Sequence, residues 1–516
     1  MESLVLDSPA AIAEEATLAA LLRCCVREVA GPRGHVWPAS PYLLLRVAGT
    51  LIRVRTGGGA ALRFEGAPER LEQGAWRPLT SAELVRLAET ELTYGTDLDR
   101  ANPEFAGQVA ASRDAIELIV KARTEAEPPA DPWLASEQAL VFGHPFHPSP
   151  KARGGAGWLR YAPEAHAAFP LRLLAVREDA LAQEGDTSAL DHLGQAPPGY
   201  TLLPAHPWQL DLLRPALDDR LIDLGDSAWP VAPTSSVRTV YDPVGGICLK
   251  FSLDVRITNC VRKNAWYELS GAVALNSRLA PVFADLASRF PGTRWLPEPG
   301  YRSAALGGRL LEGLGVIVRS GPWSVVSPGV TPVLAGALAT SARAADPHAW
   351  WAAYVSAVAP PVLDAYLRHG VVLEAHLQNV LVGLDAAGMP VEAVFRDLEG
   401  TKLIAGRHDL SELPAKVGEA LTYDAERGWA RVVYCLMVNH LTEIAATLAP
   451  GEPEQRALWA VARQVLAGYA ERAGSPLPLS DLLAGAPLPA KANLGVRWSR
   501  SADRHAGYVP IGNPFA

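Results

Sequence analysis

The chain has 516 residues, 49% of them hydrophobic and 20% charged, a balance that buries a large core and excludes disorder. Its 44 Gly and 43 Pro fall well below a low-complexity or collagen-like share. A formal net charge of -8 excludes nucleic acid or an anionic membrane as the main partner, because both select a basic surface, but it leaves room for a local basic pocket.

Five cysteines (Cys24, Cys25, Cys248, Cys260 and Cys435) form no CxxC pair and are odd in number. They are expected to be reduced core residues of a cytoplasmic protein. The N-terminus carries Glu2, Asp7, Glu14 and Glu15 and no basic-then-apolar leader, so no signal peptide is expected. No apolar stretch reaches the roughly 18 uncharged residues of a membrane span.

Length and pattern predict an α+β protein in three parts: 1–130, 131–343 and 344–516. In the first, Ser8-Pro9 followed by Ile12, Leu18, Leu21, Leu22 and Val26 predicts a capped amphipathic helix ending before Gly31. Segments 41–47, 50–55 and 61–64 read as strands and 81–92 and 107–125 as helices, with 124–132 as a linker. The middle part mixes strands and helices.

The third part is mostly helical. Residues 348–369 carry Trp350, Trp351, Tyr354, Val358, Leu363 and Leu367 at helical spacing, with Pro360-Pro361 expected to kink the helix. The Trp pair reads as core rather than ligand stack. A hairpin, NVLVGLD-AAGMP-VEAVFRD, precedes a helix over 425–448, and the tail after Trp498 reads as a loop. There is no internal repeat.

Three clusters carry chemistry. The first, Gly143 to Gly155, holds His144, His147, Lys151 and Arg153 among prolines. The prolines forbid a regular helix and no further ligands follow at zinc spacing. A rigid loop of imidazole, ammonium and guanidinium donors suits a polyanion, while a Pro-rich surface loop is the plain alternative.

The second cluster runs from Pro233 through Ser236, Arg238 and Thr239 to Arg262. Phe251, Leu253, Val255 and Ile257 alternate, which predicts a hairpin strand with Lys250, Ser252, Asp254, Arg256 and Thr258 on the other face. Thr258 or Asn259 is expected to cap a helix beginning near Cys260, with Arg262 in its first turn. A cation there opposes the helix dipole unless an anion is bound. Solvated strand cations remain the alternative.

In the third cluster, Glu374-Ala375-His376-Leu377-Gln378-Asn379 is followed by Arg396-Asp397-Leu398-Glu399-Gly400. An Asn and an Asp at the open end of one hairpin can offer two oxygen ligands to Mg²⁺, as in kinase-like phosphotransferases. Glu374 stands where a kinase has its catalytic Asp, and no Gly-rich phosphate loop precedes it. Polar residues that merely tie down the hairpin would give the same pattern.

Together these motifs resemble the NRPS-independent siderophore synthetases, the aerobactin-synthetase-like IucA/IucC family. The resemblance rests on the His144 to Lys151 loop, His206-Pro207-Trp208-Gln209, Thr234 to Thr239, Lys250 to Arg262, His376-x-Gln378-Asn379 and Arg396-Asp397-x-Glu399-Gly400. It implies a cupped hand of thumb, fingers and kinase-like palm, which map to the three parts above.

It also implies a ligase in which ATP activates a carboxylate, often citrate, as an acyl-adenylate. An amine, hydroxylamine or alcohol then displaces AMP. By matching position, His144, Lys151, Ser236, Arg238, Thr239, Lys250, Gln378 and Arg396 would bind the nucleotide. Glu374, Asn379 and Asp397 would hold Mg²⁺. Thr258, Asn259, Arg262, His376, Gln378, Tyr434 and Lys491 would surround the substrate, with Arg262, His376 and Lys250 catalytic. Small-molecule substrates and a homodimer are the expected partners. A phosphotransferase releasing ADP and a non-catalytic carboxylate binder are the rival readings.

Overall fold

A computed structural model of the chain describes residues 8–94, 102–153, 155, 157–257, 260–262, 264–501 and 507–516, with backbone alone for 256, 257 and 260–262. Ser8 accepts the Ala11 N–H at 3.3 Å and Pro9 opens the helix Pro9–Cys24, which continues as a π-helical turn over Cys25–Ala30. Its Leu18, Leu21 and Leu22 pack on Leu45, Val47, Ile52 and Val54. Those four belong to an antiparallel five-stranded sheet of Val36–Ala39, Tyr42–Val47, Thr50–Gly57, Arg63–Glu72 and Ala75–Pro78. The helices Ser81–Thr93 and Phe105–Glu125 complete this layer, and Leu494 and Trp498 join its core from the far end of the chain.

The middle of the chain builds an eight-stranded antiparallel sheet. Its order is Leu181–Gly185, Gly300–Ala304, Val316–Ser320, Ile247–Phe251, Thr239–Asp242, Leu221–Pro233, Phe169–Arg177, Tyr200–Ala205. A four-stranded sheet lies beyond it: Thr293–Trp295 runs parallel to Pro390–Phe395, and Val380–Leu384 and Thr331–Leu334 extend it antiparallel. Against this second sheet packs the helix Pro347–Leu367, which is continuous across Pro360 and Pro361. Two missing N–H groups cost helix stability, but burial from Trp350 to Tyr366 outweighs that cost, and both tryptophans are core. The helix Trp266–Arg289 contributes Leu275, Leu279, Phe283 and Leu286 to the same core.

Three sequence expectations change. The single run from Lys250 to Thr258 is broken at Ser252: Ile247–Phe251 is central in the large sheet, whereas Leu253–Ile257 pairs with Cys260–Arg262 in a separate two-stranded hairpin. Arg262 therefore lies on a strand, not in the first turn of a helix. The helix starts at Trp266, where Glu268 accepts the Ala265 N–H at 2.8 Å. Thr and Asn serve turns as readily as caps, which is why the pattern misleads. The tail, too, is ordered as a strand, Tyr508–Ile511 on Leu488–Lys491. The four described cysteines, Cys24, Cys25, Cys248 and Cys435, are free and buried.

His206 begins the helix Pro207–Leu213, its Nδ1 accepting the Trp208 N–H at 3.2 Å while the buried Nε2 has no partner among the described residues. Burial lowers its pKa to about 3. Between that value and about 6.5 the unfolded chain binds a proton that the fold refuses, so His206 makes stability fall as pH falls through this window. In denaturant titrations, the stability gap between the parent and His206→Gln should narrow by about 2 kcal/mol from pH 7 to pH 5. A gap independent of pH would contradict this account.

Candidate active site

Lys250 and Arg319 stand on neighbouring strands of the large sheet. Arg319 pairs with Cys248, and Lys250 lies two residues further along, so both side chains leave the same face. Two cations buried side by side need anions. The second sheet supplies them. Strand Pro390–Phe395 is followed by Arg396 and then Asp397, which takes φ 74°, a left-handed conformation that costs a non-glycine residue about 1–3 kcal/mol. In this position Asp397 Oδ1 accepts from Lys250 Nζ at 2.5 Å and from Arg319 Nη2 at 3.3 Å.

Glu399 Oε2 completes the bridge, 2.9 Å from Lys250 Nζ and 2.5 Å from Arg238 Nη2. Arg238 also donates to Asn264 Oδ1 at 2.5 Å, and Arg319 Nε to the fully buried Glu298 at 2.7 Å. Burial alone would raise the pKa of Asp397, but Lys250 and Arg319 outweigh it and hold the carboxyl well below its usual range. Glu399 is depressed likewise, with Arg238 and Lys250 outweighing its burial. Lys250, only 2% exposed, is lowered by burial but raised overall by Asp397 and Glu399. Six charged side chains thus form one network between the two sheets.

A second group adjoins it. His376 Nδ1 accepts the Gln378 N–H at 3.2 Å and His144 Nδ1 the Phe146 N–H at 3.0 Å, which leaves each neutral imidazole with an Nε2–H donor. Desolvation lowers their pKa values to about 4 and about 3, and Lys491 pushes both the same way. Both rings are therefore neutral at physiological pH. Nε2 of His144 lies 3.1 Å from the Asn439 amide and 3.5 Å from Tyr434 Oη. Asp397 and Glu374 are near enough to His376 to favour its protonation, although desolvation wins.

Among the expected metal ligands, Asn379 is buried and its side-chain amide has no hydrogen bond among the described residues, its carbonyl meeting the Arg396 N–H at 3.2 Å. Glu374 is held by Arg431 at 2.6 Å. Its Oε2 lies against Gly400, where a Cβ would stand only 2.8 Å away. Ser236 Oγ accepts the Thr239 N–H at 3.1 Å and shapes the turn that presents Arg238.

Two expected nucleotide contacts are engaged in ion pairs within the protein. Lys151 is buried against Glu164, which Arg153 also approaches at 3.5 Å. Arg396 is clamped bidentately by buried Glu137 at 2.5 and 3.0 Å, and also donates to the Gln378 carbonyl at 2.6 Å. Gln378 Nε2 in turn donates to the Ser235 carbonyl at 3.0 Å. These bonds fasten the hairpin to the 234–239 turn. Thr258 and Asn259 lie outside the described residues, as does the Arg262 side chain.

Sequence reading missed Arg319, Glu298, Glu137, Asn264 and Arg431. One signal for Arg319 was available: a lone cation in the apolar strand Val316–Ser320 needs a buried partner.

Residues 132–340 match the IucA / IucC family, and residues 348–506 match a family described as ferric iron reductase FhuF-like transporter. The L-2,3-diaminopropanoate–citrate ligase of Staphylococcus aureus (strain NCTC 8325 / PS 47) is 30% identical, over 75% of this chain and 75% of its own length. The chain belongs to the IucA/IucC family, the NRPS-independent siderophore synthetases. It is accordingly a ligase of siderophore synthesis.

A rhizobactin siderophore biosynthesis protein, RhbC of Rhizobium meliloti (strain 1021), is also 30% identical, over 74% of this chain and 75% of its own. The structure of ATP-bound aerobactin synthetase IucA from a hypervirulent pathotype of Klebsiella pneumoniae shares the fold, with TM-score 0.83 at 23% identity over 97% of this chain and 99% of that one. No helix among the described residues is long and apolar enough to cross a membrane.

Because Glu298 has no exposed surface, removing its cation strands a charge. In denaturant unfolding, Arg319→Met should cost about 3–5 kcal/mol, and adding Glu298→Gln should return a substantial part of it. A double variant no more stable than Arg319→Met would show that the pair is not coupled.

Proposed function

We propose that this site joins a carboxylate to ATP and then to an amine, with the nucleotide lying between the fingers (131–343) and palm (344–516). The observation that carries this reading is the convergence of Lys250, Arg238 and Arg319 on Asp397 and Glu399. Three oriented cations at the meeting of two sheets form a site for a polyphosphate, held ready by internal carboxylates until one arrives. ATP and an organic acid repel each other, and donors already fixed in a desolvated site lower that barrier without reorganising during reaction.

The residues expected to hold Mg²⁺ fit a hard cation. Asn379 has an uncommitted buried amide, Asp397 leaves Oδ2 beyond its bonds to Lys250 and Arg319, and Gly400 keeps space at Glu374 Oε2. All three offer oxygen. Bound there, Mg²⁺ would neutralise phosphate charge.

In the first step a carboxylate oxygen of the substrate bonds to the α-phosphorus, and the bond to the bridging oxygen breaks to release pyrophosphate. The Nε2–H groups of His144 and His376 would donate to carboxylate oxygens, with Lys491 supplying positive charge beside them. In the second step the amine bonds to the acyl carbon as the bond to AMP breaks, and the amine proton passes to solvent. Citrate is the favoured acid and an amine the favoured acceptor, since a relative is a diaminopropanoate–citrate ligase. A cytoplasmic homodimer belongs to the same reading.

Assays with citrate and a panel of di- and tricarboxylates, using hydroxylamine as acceptor, are expected to yield AMP, pyrophosphate and a hydroxamate. Lys250→Met should lower that rate by about two orders of magnitude. Production of ADP and a phosphorylated acid would replace this reading with a phosphotransferase.

A further inference from the structure

Two consecutive residues of the N-terminal layer reach beyond its own core to the segments that carry His144 and Lys491. The π-helical turn Cys25–Ala30 buries Cys25, Val26 and Val29 in the core of the five-stranded sheet, and turns of this kind are rare and recur at functional sites. Arg27 is only 7% exposed; its guanidinium carbon stands 3.3 Å from the centroid of the Phe146 ring, and Nη2 donates to the Ala60 carbonyl at 3.2 Å. No carboxylate pairs with it among the described residues, although Glu443 and Glu28 bear on its charge from further away. A cation is thus kept buried on an aromatic face, at a desolvation cost that the ring offsets in part.

Phe146 is the residue that orients His144. Its N–H donates to His144 Nδ1 at 3.0 Å, and its carbonyl accepts from Asn493 Nδ2 at 3.0 Å. By covering the ring, Arg27 holds in place the backbone amide that fixes the imidazole tautomer and its direction. Glu28 takes hold of the other segment. Its Oε1 and Oε2 accept the Leu494 and Gly495 N–H groups at 3.1 and 2.9 Å. The carboxylate thereby satisfies free donors at the start of the helix Asn493–Trp498 with a charge that suits the helix dipole. Lys491 ends the strand just before that helix. Phe146 and Asn493 are 347 residues apart in the chain, yet one turn of the N-terminal layer holds both segments.

We propose that Arg27 and Glu28 are positioning residues for the organic acid, Arg27 acting through Phe146 on His144 and Glu28 through the 494–495 backbone on Lys491. The proposal rests on the ligase reading, in which His144 and Lys491 serve the acid, and adds to it two residues that act only through others. Lys250, Arg238 and Arg319 are held by Asp397 and Glu399 instead. Loosening the turn should therefore weaken the acid and spare ATP.

The test compares the full-length parent with Arg27→Ala, Arg27→Lys and Glu28→Ala, measuring KM for ATP and for the carboxylate that supports hydroxamate formation. In Arg27→Ala and in Glu28→Ala, KM for the acid should rise fivefold or more while KM for ATP changes less than twofold. Arg27→Lys, which keeps a cation near the ring, should recover most of the loss. Hydrogen exchange gives a readout independent of turnover: amides of 144–148 should exchange faster in Arg27→Ala and those of 492–496 in Glu28→Ala, with Ile247–Phe251 unchanged. Should Arg27→Ala fail to fold, Arg27→Met, which fills much of the same space, is held to the same expectations. A smaller rise for the acid in either variant, a matching rise for ATP, or faster exchange throughout the chain overturns the proposal while leaving adenylation intact. Failure of the parent to form a hydroxamate with any carboxylate overturns the ligase reading and this proposal with it.

Discussion

The ammonium of Lys250 is the group on which the rest of the site depends. It sits at 2% exposure in the middle of an eight-stranded sheet, where an unpaired charge would cost several kcal/mol. Asp397 and Glu399 reach it from the end of a strand in a different sheet. The same contact neutralises the lysine, compensates the left-handed backbone of Asp397 and joins the two sheets. Arg238 and Arg319 extend it on either side. A protein of net charge -8 thus keeps three buried cations together, because Lys250, Arg238 and Arg319 are each matched by a carboxylate at hydrogen-bond distance.

That matching also bears on function. Charges already held in position are what a reaction between two anions needs, and they come at the cost of competing internal carboxylates. In the proposed reading an incoming triphosphate would exchange places with Asp397 and Glu399 around Lys250 and Arg238. Asp397, released from the lysine, would then be available to a cation. The neutral imidazoles of His144 and His376 supply donors beside this centre without adding positive charge. In the proposed reading the histidines and the lysine–arginine cluster would serve different partners, the first uncharged or singly charged oxygens and the second phosphate.

Much of this was legible in the sequence. The alternation of NVLVGLD and VEAVFRD with AAGMP between them fixed a hairpin, and that hairpin places Asn379 and Asp397 at one end. The α+β class and the buried Trp350 and Trp351 followed from periodicity. Legibility failed where the outcome depends on contacts distant in sequence. Lys250 and Arg319 are 69 residues apart along the chain, yet share a sheet face. Glu137 is 259 residues from Arg396 and still takes both of its terminal nitrogens, so an ion pair fastens the arginine beside Asp397 to a distant segment. Cys260–Arg262 was misread as a helix start because local residue preferences did not encode the pairing of Ile257 with Cys260.

The most direct measurement is a crystal structure of the chain with Mg²⁺ and a non-hydrolysable ATP analogue. The account expects Lys250 Nζ and the Arg238 guanidinium within hydrogen-bond distance of phosphate oxygens, with Asp397 turned from Lys250 toward the metal and Asn379 beside it. A nucleotide bound away from this junction, with Lys250 still held by Asp397 and Glu399, would contradict it.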